Sequence, residues 1–357
     1  MKTEKIHYQK EEITGFYNTL RKRVNEALIN YEKRTSYIPA AKTILLLLLY
    51  VLFLMLIFKT HNSSSIILSY IILGVLTTAI FLNIIHDAVH NALFKKPFWN
   101  TICLHLLEIF GADSLIWKKR HILSHHSYPN ISGRDFDIRQ SNLIRILPNS
   151  PFLAHHCYQP FYVPFVYFLY TLNWFLHRDF IDAFVHDQEL NISKGRKVKL
   201  IVHKIIYISS FIILPSIFSA QSLWIYIIGF ILMHFTASII GVMALTTAHV
   251  NHDSEFPEPD ENGMMPDSWA MHQLRVTQDF ATNNLFISNC FGGFNFHIAH
   301  HLFPSVQHRH YKKITSIIRN TAKEFGLEYK SKSLGCALWS HYILLINNSR
   351  KPIEIDM

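Results

Sequence analysis

The sequence predicts an all-α integral membrane protein: four transmembrane helices in two hairpins, with a cytoplasmic helical cap that carries a histidine-rich metal site. Three observations lead there. Half of the 357 residues are hydrophobic and only 17% are charged, against about a quarter charged in a typical soluble domain. Four uncharged apolar runs fall into two closely spaced pairs. Of the 23 histidines, nearly as numerous as the 25 acidic residues, nine fall at four short sites, two of which directly follow an apolar run.

The first run, 43–58, is short for a bilayer that needs about 20 residues. Lys42 and Lys59 at its ends can snorkel to the interface. The second run is 65–85. The third and fourth, 205–220 and 223–248, are separated only by Gln221 and Ser222, so they read as a tight helical hairpin. Two further apolar stretches read as interfacial. Segment 97–117 contains Glu108 and Asp113, and 160–176 contains Pro160, Pro164 and Asn173 among many aromatics, which favour the membrane–water boundary. If 160–176 crossed the bilayer, the histidine clusters on either side of it would face opposite compartments. Of the 34 lysines and arginines, only Lys59 falls in the two expected outer loops, 59–64 and 221–222. The positive-inside rule therefore puts both termini and every histidine cluster in the cytoplasm of a multi-pass protein. Residues 1–42 are polar, with no apolar core of a cleavable signal, and read as a cytoplasmic N-terminal segment. Residues 331–357 read as a cytoplasmic tail.

The net charge of +9 fits a membrane surface rather than nucleic acid, because the basic residues flank apolar spans. Cys103, Cys157, Cys290 and Cys336 are scattered without CxxC spacing. That argues against a disulfide framework or a zinc ribbon and fits a reducing compartment.

The histidines carry the chemistry. His86 and His90 form HDAVH directly after the second run; His121, His125 and His126 form HILSHH; His249 closes the fourth run; His297, His300 and His301 form HIAHH. Residues three or four apart share one helix face, so each cluster aims its imidazoles one way. Imidazole suits zinc, copper, iron and nickel. Nine such nitrogens are too many for one ion, which takes three or four, and about right for two. Isolated histidines such as His234 and His341 read as core or surface residues. Asp87, Asp135, Asp137, Asp253 and His252 stand near the clusters and are candidates for orienting the ligand rings from behind. A metal transporter would put its ligands near the bilayer midplane, whereas here only His234 lies inside a run.

HDAVH, HILSHH and HIAHH, in this order around two hydrophobic hairpins, resemble the three histidine boxes of membrane fatty acid desaturases. WKKRHILSHHSYPNISGRDFDI and WAMHQLRVTQDF…GGFNFHIAHHLFPSVQHRHY resemble the acyl-lipid or acyl-CoA branch that includes the linoleoyl-CoA, or front-end, enzymes. The resemblance implies a desaturase domain over 43–330 with a di-iron site bound by His86, His90, His121, His125, His126, His297, His300 and His301, and His249 as the ninth histidine. It also implies O2 as co-substrate and a cis double bond made in a long acyl chain linked to CoA, phospholipid or a carrier protein. Hydroxylation or acetylenic bond formation on the same scaffold is the alternative outcome. The unactivated C–H bond explains the metal, since acid–base chemistry has no acidic proton to remove. Trp117, Trp269, Phe291, Phe294 and Phe296 are candidates for lining an acyl tunnel. The chain differs from the family at two points: Leu245 replaces the Asn of stearoyl-CoA desaturases, and His297 replaces the Gln that usually opens the third front-end box. No HPGG haem motif, flavin or nicotinamide fingerprint occurs. The two electrons are therefore expected from a separate cytochrome b5 or ferredoxin docking on Lys95, Lys96, Lys118, Lys119, Arg120, Arg309, Lys312 and Lys313.

Overall fold

Local sequence signals set where each element starts. In the computed structural model, residues 6–12, 15–32, 37–138, 142–219 and 221–351 are described. The outermost parts of the expected N-terminal segment and tail lie outside them, as does Ala220 at the end of the third apolar run. Strand β1 (His7–Gln9) precedes helix α1 (Phe16–Glu32). Helix α2 (Ile38–Lys59) opens on Pro39, whose missing N–H costs nothing in a first turn. Asn62 then caps α3 (Ser63–Val89) by accepting from the Ser65 amide at 2.9 Å. Asp113 does the same for α4 (Ser114–Lys119), accepting from Leu115 and Ile116. Helix α5 runs Lys194–Ser219 and α6 Leu223–His249. Among the described residues, α2, α3, α5 and α6 are the four helices long and apolar enough to cross a membrane. Helix α5 begins well before Ile205. Its charged first turns are paired: Arg196 reaches Glu108 at 2.8 Å and Asp113 at 2.6 Å, and Lys204 reaches Asp179 at 2.6 Å. Segments 97–117 and 160–176 form short helical pieces rather than one long helix.

The chain divides into two compact units. One comprises 37–121 and 162–243. Within it, α2 packs on α3, and α3 meets α6 where small residues permit close approach. A Cβ on Gly74 would collide with the Met233 carbonyl, and one on Gly229 with the Tyr70 ring; such contacts are how helices associate in lipid. Leu45, Leu48, Leu52, Trp224 and Ile228 are exposed, as lipid-facing residues are. Asp179 and Asp182 are fully buried and are matched by Lys204, Arg178 and Arg120.

The other unit comprises 1–36, 122–161 and 244–357. After α6 come strand β2 (Met264–Ser268), helix α7 (Trp269–Val276), strand β3 (Asp279–Phe280), helices α8 (His297–Leu302) and α9 (Tyr311–Glu324), strand β4 (Ser331–Lys332) and helix α10 (Leu334–Asn348). Phe16, Leu20 and Val24 of α1, Leu274 of α7, Ile298 and Leu302 of α8, and Ile314 and Ile318 of α9 share one buried core. To the expected helices the structure adds two short parallel ladders, β1 with β2 and β3 with β4.

Candidate metal centre

Each histidine cluster is delivered by the end of an element. Helix α3 widens into a π turn at Phe81–Ile85 just before His86, and His90 caps the helix that follows. Helix α4 continues as a π turn over Arg120–His125, which carries His121 and His125. His249 is the last residue of α6, and α8 carries the third cluster. π turns of this kind concentrate at functional sites.

In the first unit, the rings of His86, His90 and His121 lie 5.1–5.6 Å apart, centroid to centroid. The Nε2 atoms of His90 and His121 are 3.2 Å apart, and Trp117 stacks on His121 at 5.0 Å. In the second unit, six buried imidazoles converge. Nε2 of His301 is 3.1 Å from Nε2 of His249 and of His297, which are 2.6 Å from each other. His126 and His300 meet through Nε2 at 3.0 Å. Ring nitrogens of His125, His249, His297 and His301 all lie within 4.8 Å of one another, as do those of His126, His300 and His301.

The other side of several rings is held. His125 donates from Nδ1 to Asp135 at 3.0 Å, and His301 donates from Nδ1 to the Gln273 amide oxygen at 2.8 Å. The Tyr311 hydroxyl lies 3.2 Å from His300 Nδ1. A proton on Nδ1 leaves the Nε2 lone pair pointing inward at its neighbours. Several inward lone pairs about 3 Å apart repel unless a cation sits among them. Nitrogens bound about 2.1 Å from one ion fall within roughly 4.2 Å of each other, so the donor set fits a bound metal. Burial, reinforced by the imidazoles of His126, His297, His249 and His125, holds His301 well below the usual histidine range. It stays neutral, which is the metal-binding form.

This geometry agrees with two sets of similarities. Residues 62–333 match the model of the family described as "Fatty acid desaturase". The chain is 30% identical to the sn-1 linoleoyl-lipid 6-desaturase of Synechocystis sp. over 331 residues, covering 88% of this chain and 90% of that one. The chain belongs to the fatty acid desaturase family. It is also 32% identical to the sn-1 linoleoyl-lipid 6-desaturase of Arthrospira platensis, over 81% of this chain and 80% of that one. Against the acyl-lipid (8-3)-desaturase of Physcomitrium patens it is 28% identical, over 82% of this chain and 63% of that one. The family is one of oxidoreductases in lipid metabolism, and these relatives put the chain in its front-end-like branch.

In this desaturase Asp135 is a hub. Besides His125 it accepts from the amides of Asn130, Asp137 and Ile138. Asn130, in turn, donates from its side chain to the His249 carbonyl at 3.1 Å. Asp87 is buried between His86 and His90. Asp253 instead pairs with Lys332 on the surface, and the exposed His252 meets Asn347. Phe294 lies 4.3 Å from His297, centroid to centroid. Phe296 sits in the core with Trp269 packed against it, and Phe291 packs on Phe280. Arg120, expected on a docking surface, is buried against Asp182 under the Trp174 ring. Its neighbour Lys119 donates to the Asn191 carbonyl at 2.6 Å. Gln273, Asn130 and Tyr311 escaped sequence reasoning, because nothing in their local spacing marks them as partners of distant histidines.

Proposed function

We propose that this desaturase uses two irons, held by His86, His90, His121, His125, His126, His249, His297, His300 and His301, to place a cis double bond in a long, lipid-linked acyl chain in the front-end manner. The observation that carries the reading is the set of six buried imidazoles, five of which meet through Nε2 at 2.6–3.1 Å. When bound, the irons supply the O2 activation that cutting an unactivated C–H bond requires. The chain's own residues do the rest. Asp135 and Gln273 keep a proton on Nδ1 of His125 and His301, fixing each tautomer and ring plane. Burial around His297, His300 and His301 excludes water from the reacting region. Phe294 and Trp117, set against His297 and His121, guide the apolar acyl chain.

The lipid-linked substrate rests on the names of the two 6-desaturases. The 43–330 desaturase domain lies in the membrane with the boxes and both termini on the cytoplasmic side, following the distribution of basic residues. Electrons come from a cytochrome b5 or a ferredoxin, attracted by the exposed Lys95, Lys96, Arg309, Lys312 and Lys313. The test is twofold: metal analysis of the purified chain, and gas chromatography with mass spectrometry of lipids from a host fed linoleate. Two irons per chain and a new double bond on the carboxyl side of the existing ones are expected. One zinc without iron, or activity confined to stearate, overturns the reading.

A further inference from the structure

We infer that Tyr8 of β1 and Tyr17 of α1 act together as a clamp that sets the spacing between the second and third histidine boxes, both as positioning residues. Tyr8, in the middle of β1, donates its hydroxyl to the Ser127 carbonyl at 2.8 Å. Ser127 directly follows His126. Tyr17, at the start of α1, donates to the Leu302 carbonyl at 3.1 Å. Leu302 directly follows His301. The two tyrosines thus hold the backbone one residue past each box.

Both tyrosines are wedged by aromatic neighbours. The Tyr8 ring lies 5.3 Å from His272 and 6.3 Å from Tyr128, centroid to centroid. His272 itself donates from Nε2 to the Pro129 carbonyl at 2.8 Å, and its neighbour Gln273 holds His301. The Tyr17 ring meets Trp269 at 5.4 Å and Phe303 at 5.9 Å. The pairing of His7 with Met264 and Gln9 with Ser268 joins the clamp to the strand that leads into α7. His126 and His300 come from the two different boxes and meet through Nε2 at 3.0 Å. A drift of a few tenths of an ångström between the boxes would therefore open a shared metal geometry without removing any ligand.

This rests on the metal reading above and is tested separately from it. Full-length protein in lipid nanodiscs is loaded with iron and challenged with a ferrous chelator, comparing Tyr8→Phe, Tyr17→Phe and the double variant with the unaltered chain. Partners behind metal ligands change affinity by about 10–100-fold, so the double variant should lose iron roughly tenfold faster. Its cobalt-substituted form should show an altered visible spectrum. Val24→Ala, which cuts the same core, serves as the control: it lowers the unfolding midpoint but leaves the iron-loss rate and the spectrum unchanged. Loss rates within twofold of the unaltered chain, or an equal acceleration in Val24→Ala, overturn the clamp. An unaltered chain that binds no iron overturns the metal reading instead.

Discussion

The Gln273 amide oxygen stands 2.8 Å from His301 Nδ1, on the side of the ring away from the nitrogens it faces. An uncharged acceptor in that place fixes the tautomer without adding a buried charge. Replacing it with leucine leaves Nδ1–H without a partner in a dry site. Gln273→Leu should weaken metal binding about 10–100-fold with little change in secondary structure. Competitive chelator titration measures it, and an unchanged affinity would show that the contact is incidental.

Removing a ligand is a harsher change than loosening one. His126→Ala or His300→Ala should abolish desaturation, because the two face each other at 3.0 Å across the cluster. Metal per chain should fall in the same preparations. Full activity in either variant would remove that residue from the ligand set.

Membrane insertion can be read from outside. In a background lacking Cys157, Cys290 and Cys336, which are exposed, Asn62→Cys and Ser222→Cys should react with an impermeant thiol reagent applied to intact cells. Tyr170→Cys should not. Outside labelling at position 170 would mean that 160–176 crosses the bilayer.

The approach of α3 to α6 depends on the absence of a side chain. Gly74→Ala forces a methyl group into the Met233 carbonyl, and overpacking of this kind costs about 1–3 kcal/mol. Detergent-denaturation midpoints should drop for Gly74→Ala and stay unchanged for Gly241→Ala, where a Cβ would meet open space.

His341 gives its unit a defined acid response. Burial pushes this ring down from 6.5 to about 4, although Nδ1 donates to the Val250 carbonyl at 2.5 Å. The unfolded chain takes up the proton below pH 6.5 and the folded chain only below about 4. Stability from this group is therefore full above pH 6.5 and falls as pH drops between those values, by about 3 kcal/mol at most. Unfolding midpoints from pH 7 to pH 4 should fall less steeply in His341→Gln, by up to one proton's worth of slope. Identical slopes would remove His341 from the acid response.

The four long apolar helices and the clustering of the histidines were legible because their signals are local: an unbroken apolar run, or two imidazoles three or four residues apart. What stayed hidden depends on residues far apart in the chain. The third apolar run begins at Ile205, yet helix α5 already starts at Lys194; only Glu108, Asp113 and Asp179 explain how Arg196 and Lys204 fit inside it. Arg120 looked like surface for the same reason, its partner Asp182 lying 62 residues further along the chain. Asp135 was singled out by its place just after the second box and does hold His125. Asp253 had the same credentials beside His249 and pairs with Lys332 instead. Proximity in sequence ranks such carboxylates without deciding between them.

Two of the three boxes hang from π turns, at Phe81–Ile85 and Arg120–His125. Such a turn holds one residue more than an α turn, and each residue turns a helix by about 100°. Deleting a single residue between 81 and 85 would relax the turn to α geometry and swing His86 and His90 together away from His121, their mutual spacing intact. A comparable change in the short link at 60–62 would leave the direction of every imidazole alone. Tolerance to insertions and deletions should therefore run against simple expectation along this chain, lowest inside apolar turns that carry no ligand themselves and highest in the polar links between helices.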